Sequence, residues 1–352
     1  MQFEIQAHAL LPHVLFSAGY LLILFAAKTR RDALGFILVT AFCVTLGLRD
    51  IAALSRDCDP VTYAFLLSYP GDISALVPGV DYVLFSLLHA ITGAWFDLAG
   101  CFFVLHLLYI PAIYVLYRVL KGFPGVFFLL AGWLIFVNSG LLLLANFFRQ
   151  GICVIVFLSL LAGLCLWPGG RKSAAALTLP LLHLGSAIFV PCLLACRRKH
   201  YFFISGLFFI SICAVAYFAP SLVPGSSGYF SRDSDEGLHQ TQLLVKVISV
   251  YFLLGLGYLL TPRSSETPET VRKLQRGAVG LLLPTAALLF TYNAPAIGLR
   301  YLYYSYALAF LYVSSAIAYR KSETLFKLSA AAICLFGIVT WTYPTVAILM
   351  IW

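Results

Sequence analysis

The segment GVFFLLAGWLIFVNSGLLLLA-NFFRQ-GICVIVFLSLLAGLCLW, residues 125–167, places Arg149 and two amides, Asn146 and Gln150, between two long apolar runs. Each run approaches the ~20 apolar residues that a transmembrane helix needs. We therefore expect a continuous helix over 125–145 and a second over 151–167. An arginine deep in lipid costs ~2.5 kcal/mol or more, so Arg149 needs an anionic partner, a water-filled cavity or an interfacial position. We expect it to lie in an external cavity and to bind phosphate.

The composition of the whole chain matches that segment. Hydrophobic residues make up 62% of the sequence and charged residues 11%, and apolar runs of similar length recur throughout. This pattern predicts an all-α, polytopic integral membrane helical bundle that forms a single transmembrane domain over 1–352. The net charge of +9 does not indicate a nucleic-acid-binding protein, because the basic residues fall in short loops between apolar runs, where they set topology. No cysteine pair has the CxxC spacing of a zinc site.

The basic loops predict the orientation of the helices. Lys28, Arg30 and Arg31 follow the first apolar run, which places them in the cytoplasm and the N-terminus outside. Alternation from there gives about ten full spans, with the C-terminus outside as well. External loops are expected at 49–97, together with a short re-entrant or interfacial helix at 80–93, and at 220–241. The apolar stretch before Arg197 is interrupted by prolines and is expected to form two half-helices that meet near His183.

Several groups of residues occur along the chain in an order that resembles a known family. The groups are Gly47-Leu48-Arg49, Asp59 with Tyr63, Asp81 before a short apolar run, Asn146-Phe147-Phe148-Arg149-Gln150-Gly151, and Leu182-His183-Leu184-Gly185-Ser186-Ala187. Together they resemble the EpsG-type members of the Wzy-like bacterial polysaccharide polymerases. The likeness covers about 47–190, with a looser echo at Arg300 and Tyr301. Leu182 stands where the family usually has Phe, and Asp81 where Glu is common.

The resemblance implies an inverting, metal-independent membrane glycosyltransferase of the GT-C type, located in the bacterial inner membrane. Such enzymes polymerise lipid-linked oligosaccharide repeat units on the external face, and both donor and acceptor are carried on undecaprenyl pyrophosphate. A chain-length regulator is a further expected partner, and no cofactor is expected. Two other activities remain open, an O-antigen ligase or related transferase and a flippase or transporter of lipid-linked sugars. The acidic pair Asp57 and Asp59 keeps a divalent cation open.

A pyrophosphate leaving group requires fixed positive charge near its bridging oxygen. Arg149, Arg49 and Arg300 are the candidates, because guanidinium forms a bidentate fork that suits phosphate and stays charged. The alternative for each is an interfacial arginine that reaches lipid phosphate. Lys246, by contrast, is interpreted as an ordinary surface charge.

The acceptor hydroxyl requires a base, and the candidates are His183, Asp59 and Asp81. His183 could instead bond a backbone carbonyl freed by the helix break, and Asp81 could be a helix cap. His106 lies within an apolar run and reads as a packing residue.

Sugar recognition requires amides, hydroxyls and aromatic rings. The candidates for this role are Asn146, Gln150, Tyr63, Ser186, Tyr301 and Tyr304. The alternatives are an interfacial aromatic belt for the tyrosines and helix capping for Asn146 and Gln150.

Overall fold

A computed structural model describes residues 2–54, 59–69, 88–90, 92, 95–166, 179, 206–207, 210–211, 236–261, 268–280, 285–286, 288–291 and 295–342. All regular secondary structure within these ranges is helical, which confirms the predicted all-α class for this part of the chain. The half-helices predicted around His183, and nearly all of the short helix predicted at 80–93, lie outside the described residues.

Twelve α-helices are defined in the described part of the chain. The first eight are α1 (Gln2–Ala26), α2 (Arg31–Gly47), α3 (Asp59–Ser68), α4 (Leu98–Leu107), α5 (Tyr109–Leu120), α6 (Val126–Phe136), α7 (Asn138–Ala145) and α8 (Phe148–Leu166). The last four are α9 (Glu236–Leu260), α10 (Glu269–Gly280), α11 (Pro295–Tyr319) and α12 (Glu323–Thr342). Short 3-10 turns occur at Ile51–Ala53 and Leu288–Thr291.

Three segments of the described chain are long and apolar enough to cross a membrane, namely Leu98–Leu120, Gln240–Leu260 and Glu323–Trp341. The pair α6 and α7 would make a fourth if it forms one bent span, and Leu11–Ala26 and Phe148–Leu164 are shorter apolar helices. The chain thus has helices of the length and composition of a membrane protein, whereas the predicted number of about ten spans stays a prediction.

The chain divides into two compact units, Met1–Val156 with Ser322–Trp352, and Phe157–Lys321. In the first unit, Arg31 is buried and contacts the ends of two other helices. Its Nε donates to the Leu24 carbonyl (3.0 Å), and its Nη2 pairs with Glu323 (2.6 Å) at the start of α12. The carboxylate of Asp32 accepts from the backbone N–H of Gly125 (2.7 Å), just before α6. The end of α1 and the starts of α2, α6 and α12 therefore lie at one end of this unit.

The C-terminus of α2 lies at the opposite end of the first unit. Phe36 near the start of α2 stacks on Tyr117 of α5 (centroids 5.3 Å apart), while Gly47 at its end lies against Phe103 of α4. The segment 98–120 therefore runs antiparallel to α2. These relative directions are the ones that the predicted alternation requires, and the face of the membrane at each end stays a prediction.

The expected continuous helix over 125–145 was wrong. α6 ends at Phe136, α7 starts at Asn138, and the two helix axes differ by 74°. Two tryptophans satisfy polar groups at this break: Trp341 Nε1 donates to the Ile135 carbonyl (3.0 Å), and Trp133 Nε1 donates to Ser139 Oγ (2.9 Å). The bond from the distant Trp341 thus replaces a backbone bond that the Ile135 carbonyl would have made in a straight helix.

In the second unit, α9 and α11 lie side by side and run parallel. Lys246 lies against Tyr303, and farther along Thr261 Oγ1 lies 3.1 Å from the hydroxyl of Tyr312. Pairs of increasing residue number in both helices are possible only when the helices point the same way. α9 begins at Glu236, so it extends back into the external loop predicted at 220–241.

Candidate functional site

Arg149 lies in the first turn of α8 and contacts Tyr63 of α3. Its Nε donates to the Tyr63 hydroxyl (2.9 Å), and its guanidinium carbon lies 5.1 Å from the centroid of the Tyr63 ring. The Arg149 side chain is half-buried. A cation in the first turn of a helix adds to the partial positive charge of the helix N-terminus, and this combination favours an anion nearby. The position therefore matches the expected phosphate-binding role, which itself stays a prediction.

Phe148, the residue before Arg149, fixes the start of α8. Its ring is buried and packs against Tyr63 (centroids 6.0 Å apart) and edge-on against Tyr109 (5.7 Å). The Tyr109 hydroxyl lies against the carbonyls of Leu143 and Phe148 (2.5 and 3.2 Å), so it bridges α7 and α8. Tyr109 was not singled out from the sequence, because a tyrosine within an apolar run has no distinctive spacing.

Position 151, directly after the polar stretch 146–150, has to be a small residue. A Cβ built on Gly151 would overlap the carbonyl oxygen of Leu143 and lie 2.6 Å from the Tyr109 hydroxyl. The first turn of α8 can approach α7 this closely only because position 151 has no side chain.

Asn146 and Gln150 do not share a helix. Asn146 is the C-terminal cap residue of α7, whereas Gln150 lies in the first turn of α8. Among the described residues, no donor bonds the buried Asn146 Oδ1 atom, so this oxygen does not cap a described helix. A buried unpaired acceptor costs ~1–3 kcal/mol, and a hydroxyl donor supplied by a ligand would remove that cost. Gln150 is buried as well, with 3% of its surface exposed.

Arg49 follows α2 and is also buried, with 3% of its surface exposed. Its Nε donates to the carbonyl of Leu46 (2.8 Å), and its Nη2 donates to the carbonyl of Ala145 (3.0 Å). Both carbonyls belong to the last turn of a helix, where backbone acceptors lack intrahelical donors. Arg49 thus links the ends of α2 and α7. Its partner Ala145 is the residue directly before Asn146.

His106 of α4 is the side-chain partner of Arg49. Its Nδ1 lies 2.9 Å from the Phe102 carbonyl, and its Nε2 lies 3.0 Å from Arg49 Nη2. A carbonyl only accepts and a guanidinium only donates, so Nδ1 carries the proton and Nε2 accepts, which makes the ring neutral. The sequence predicted only a packing role for His106 and missed this polar contact. The available signal was Arg49, an arginine at a helix end 57 positions earlier.

Asp59 is the first residue of α3, one helical turn before Tyr63, and is partly buried. The structure therefore brings Arg49, Asp59, Tyr63, Asn146, Arg149 and Gln150 to the same end of the first unit. This end lies opposite to the end closed by Arg31. Cationic, amide, carboxylate and phenol groups together can bind a phosphate and orient sugar hydroxyls.

The remaining predicted site residues of known position belong to the second unit. Arg300 lies in α11, and Tyr301 and Tyr304 of the same helix are 5% and 0% exposed. Tyr304 packs edge-on against Phe157 (5.5 Å). Rings so fully packed within the unit do not form a lipid-facing aromatic belt, and their role in sugar binding stays a prediction.

Lys246 is a polar residue of this unit that the sequence-based interpretation treated as a surface charge. It lies within the apolar segment Gln240–Leu260, half-buried, with its ammonium 5.9 Å from the centroid of the Tyr303 ring. Its position inside a predicted span was the available signal, because a charge there is a functional candidate by default.

Asp81, His183 and Ser186 lie outside the described residues, so two of the three candidate bases are not placed. Within the described ranges, no three His, Cys, Asp or Glu side chains gather as metal ligands. Asp57 falls in the gap at 55–58, which leaves the acidic pair Asp57 and Asp59 untested.

No family model matches the chain, and no curated protein or solved structure matches it either.

Proposed function

We propose that this protein is an inverting GT-C-type membrane glycosyltransferase that polymerises undecaprenyl-pyrophosphate-linked oligosaccharide repeat units. It would act on the external face of the bacterial inner membrane, in a bundle of about ten spans whose two termini are external. Its product would be an O-antigen, capsule or exopolysaccharide chain. A chain-length regulator is the proposed protein partner, and the reaction would use no cofactor.

The observation that carries this proposal is the group formed by Arg149, Tyr63, Asn146 and Gln150. Arg149 is half-buried against Tyr63, and Asn146 on the preceding helix has a buried oxygen without a donor. A lipid-linked glycosyl donor offers the matching chemistry, since its pyrophosphate suits a guanidinium fork and its hydroxyls can donate to an amide oxygen.

In the proposed reaction, a hydroxyl at the non-reducing end of one repeat unit attacks the anomeric carbon of the growing chain. A new carbon–oxygen bond forms there, the bond from that carbon to the pyrophosphate oxygen breaks, and undecaprenyl pyrophosphate leaves. The hydroxyl proton passes to a base, for which His183, Asp59 and Asp81 are the candidates. Arg149, with Arg49 and Arg300 as further candidates, stabilises charge on the leaving oxygen. Tyr63, Ser186, Tyr301 and Tyr304 are the proposed sugar contacts.

The substitution Arg149→Ala tests the proposal in cells. We expect long polymer to disappear while protein level and lipid-linked single repeats persist, because loss of one preorganised charge lowers such rates ~100-fold or more. Arg118→Ala is the matched control. Arg118 also donates to a tyrosine hydroxyl (Tyr114, 2.8 Å) and stacks over its ring, but it lies in the last turn of α5, at the other end of the first unit.

Polymer should be unaffected by the control substitution. Long polymer in Arg149→Ala cells at normal protein level would rule out the pyrophosphate role of Arg149. Attachment of single repeats to an acceptor without elongation would instead favour the ligase activity.

A flippase of lipid-linked sugars is a second candidate, favoured by the break between α6 and α7. Asn138 begins α7 at this break, and its Oδ1 atom is buried without a donor. Broken helices with unpaired oxygens occur at transport sites. The substitution Asn138→Leu would then stop lipid-linked units from reaching the external leaflet, whereas in a polymerase the units would still arrive there.

A further inference from the structure

Lys246 is the only charged residue of the apolar segment Gln240–Leu260. It lies six residues after the start of that segment, about 9 Å along the helix axis at 1.5 Å per residue. Its side chain is half-buried. A cation at this depth requires an anionic partner, water or an interfacial position within reach of its side chain.

Lys246 packs against residues of α11. Its ammonium lies 5.9 Å from the centroid of Tyr303, a residue with 5% exposure. Its backbone carbonyl accepts from Ser249 Oγ (2.8 Å) and lies 3.1 Å from the Tyr306 hydroxyl, and the Ser249 and Tyr306 hydroxyls also bond each other. These bonds fix the lysine backbone against α11. Among the described residues, no carboxylate forms an ion pair with Lys246.

A second cationic position lies close to Lys246 along the helix pair. Ser249 pairs with Tyr306 and Lys246 pairs with Tyr303, so residues 57 positions apart lie at the same level of the two parallel helices. Arg300, the only charged residue of α11, therefore lies about one helical turn before the level of Lys246. After Glu236, neither α9 nor α11 contains an acidic residue. After Glu236, the two helices thus contain two basic residues and no acidic one.

The exposed apolar side chains of α9 indicate the kind of anion. Leu244, Val245 and Ile248, which flank Lys246, are 48%, 59% and 57% exposed. An anion that reaches the lysine therefore lies beside an extended apolar surface. A phosphate carried on a hydrocarbon chain satisfies both features, because the phosphate contacts the cation while the chain covers the apolar side chains.

We propose that Lys246, backed by Tyr303 and one turn from Arg300, binds the phosphate group of a lipid in the second unit. The site is separate in sequence from the group around Arg149, and the inference does not rest on the proposed polymerase activity. It concerns a phosphate that ends a hydrocarbon chain, and farnesyl diphosphate is the probe for this chemistry.

The test measures the binding of radiolabelled farnesyl diphosphate to the full-length chain in phosphatidylcholine nanodiscs. The parent for all measurements carries Arg149→Ala, so that the proposed site in the first unit does not contribute. Adding Lys246→Met, which keeps an apolar stem of similar length, should raise the dissociation constant about tenfold or more. Lys246→Arg should keep it within about twofold, since the charge and donors remain.

Lys273→Met is the matched control, because Lys273 lies on α10 and already pairs with Glu269 (3.0 Å). Its dissociation constant should stay at the parent value. Equal binding by the Lys246→Met protein, or no binding of farnesyl diphosphate to the parent, would overturn the proposal. Displacement of the label by inorganic pyrophosphate as readily as by unlabelled farnesyl diphosphate would also overturn it, because the site would then bind a free anion.

Discussion

At the scale of single residues, Arg49 and Arg149 have the same charge but different surroundings. Arg49 is 3% exposed and bonds the carbonyls of Leu46 and Ala145 and the ring of His106. Arg149 is half-buried and bonds the hydroxyl of Tyr63. Arg49 therefore stabilises two helix ends in the resting protein, in addition to any contact with a ligand.

The two arginines should differ in their effect on stability. Arg49→Ala removes the donor to two helix-end carbonyls and to a buried histidine, which costs ~1–3 kcal/mol of unfolding free energy. Arg149→Ala removes the half-buried bond to the Tyr63 hydroxyl and should cost less, ~1 kcal/mol. Tryptophan fluorescence of the detergent-purified protein during denaturant titration measures both. An Arg49→Ala protein as stable as the parent would show that the helix-end bonds contribute little.

At the scale of the helices, the start of α8 is defined by close packing against α7. Phe148 is inserted between Tyr63 and Tyr109, and Gly151 allows the first turn to approach the Leu143 carbonyl. These contacts fix the position of the polar stretch 146–150 between the two apolar runs. Position 151 is a glycine, and the contact with α7 supplies the reason.

Gly151→Ala should open this contact. The added methyl group would overlap the Leu143 carbonyl, which costs ~1–3 kcal/mol and displaces Arg149. Gly255→Ala in α9 is the control, because Gly255 is exposed and a methyl group there meets no described residue within 4 Å. We expect it to be neutral or stabilising by up to about 1 kcal/mol, since alanine favours helix. Thermal unfolding in detergent compares the two, and equal melting temperatures would contradict the close-packing argument.

The break between α6 and α7 shows where local sequence is insufficient. The run 125–145 contains no proline and has enough apolar residues for one span, so it predicts a continuous helix. The broken form is stabilised by Trp341, which donates to Ile135 from 206 positions away. Such a long-range donor is invisible in a local pattern. The sequence Asn138-Ser139-Gly140 was the available signal, because these residues have low helix propensity.

At the scale of the whole molecule, the all-helical class and the relative directions of the helices could be predicted from apolar runs and basic loops. Part of the candidate site could be predicted as well, since Arg49, Tyr63, Asn146 and Arg149 meet at one end of the first unit. His106 and Lys246 could not be assigned, because their roles depend on a partner from another helix.

The predicted orientation can be tested across α2 with two single cysteines. Thr29 and Asp50 are both exposed and lie before and after this helix. In a Cys58→Ser background, a membrane-impermeant maleimide should label the Asp50→Cys protein in intact cells. The Thr29→Cys protein should be labelled only after permeabilisation, because Lys28, Arg30 and Arg31 keep that loop inside. The reverse pattern would invert the topology and move the Arg149 group to the cytoplasmic face.

The most direct test of the proposed polymerase is a reconstituted reaction. Purified protein is incubated with defined undecaprenyl-pyrophosphate-linked repeat units, and the products are separated by length. We predict a ladder of lengthening chains with the parent and the Arg118→Ala protein, and unextended single repeats with the Arg149→Ala protein. A ladder from the Arg149→Ala protein, or no ladder from an intact and folded parent, would contradict the account.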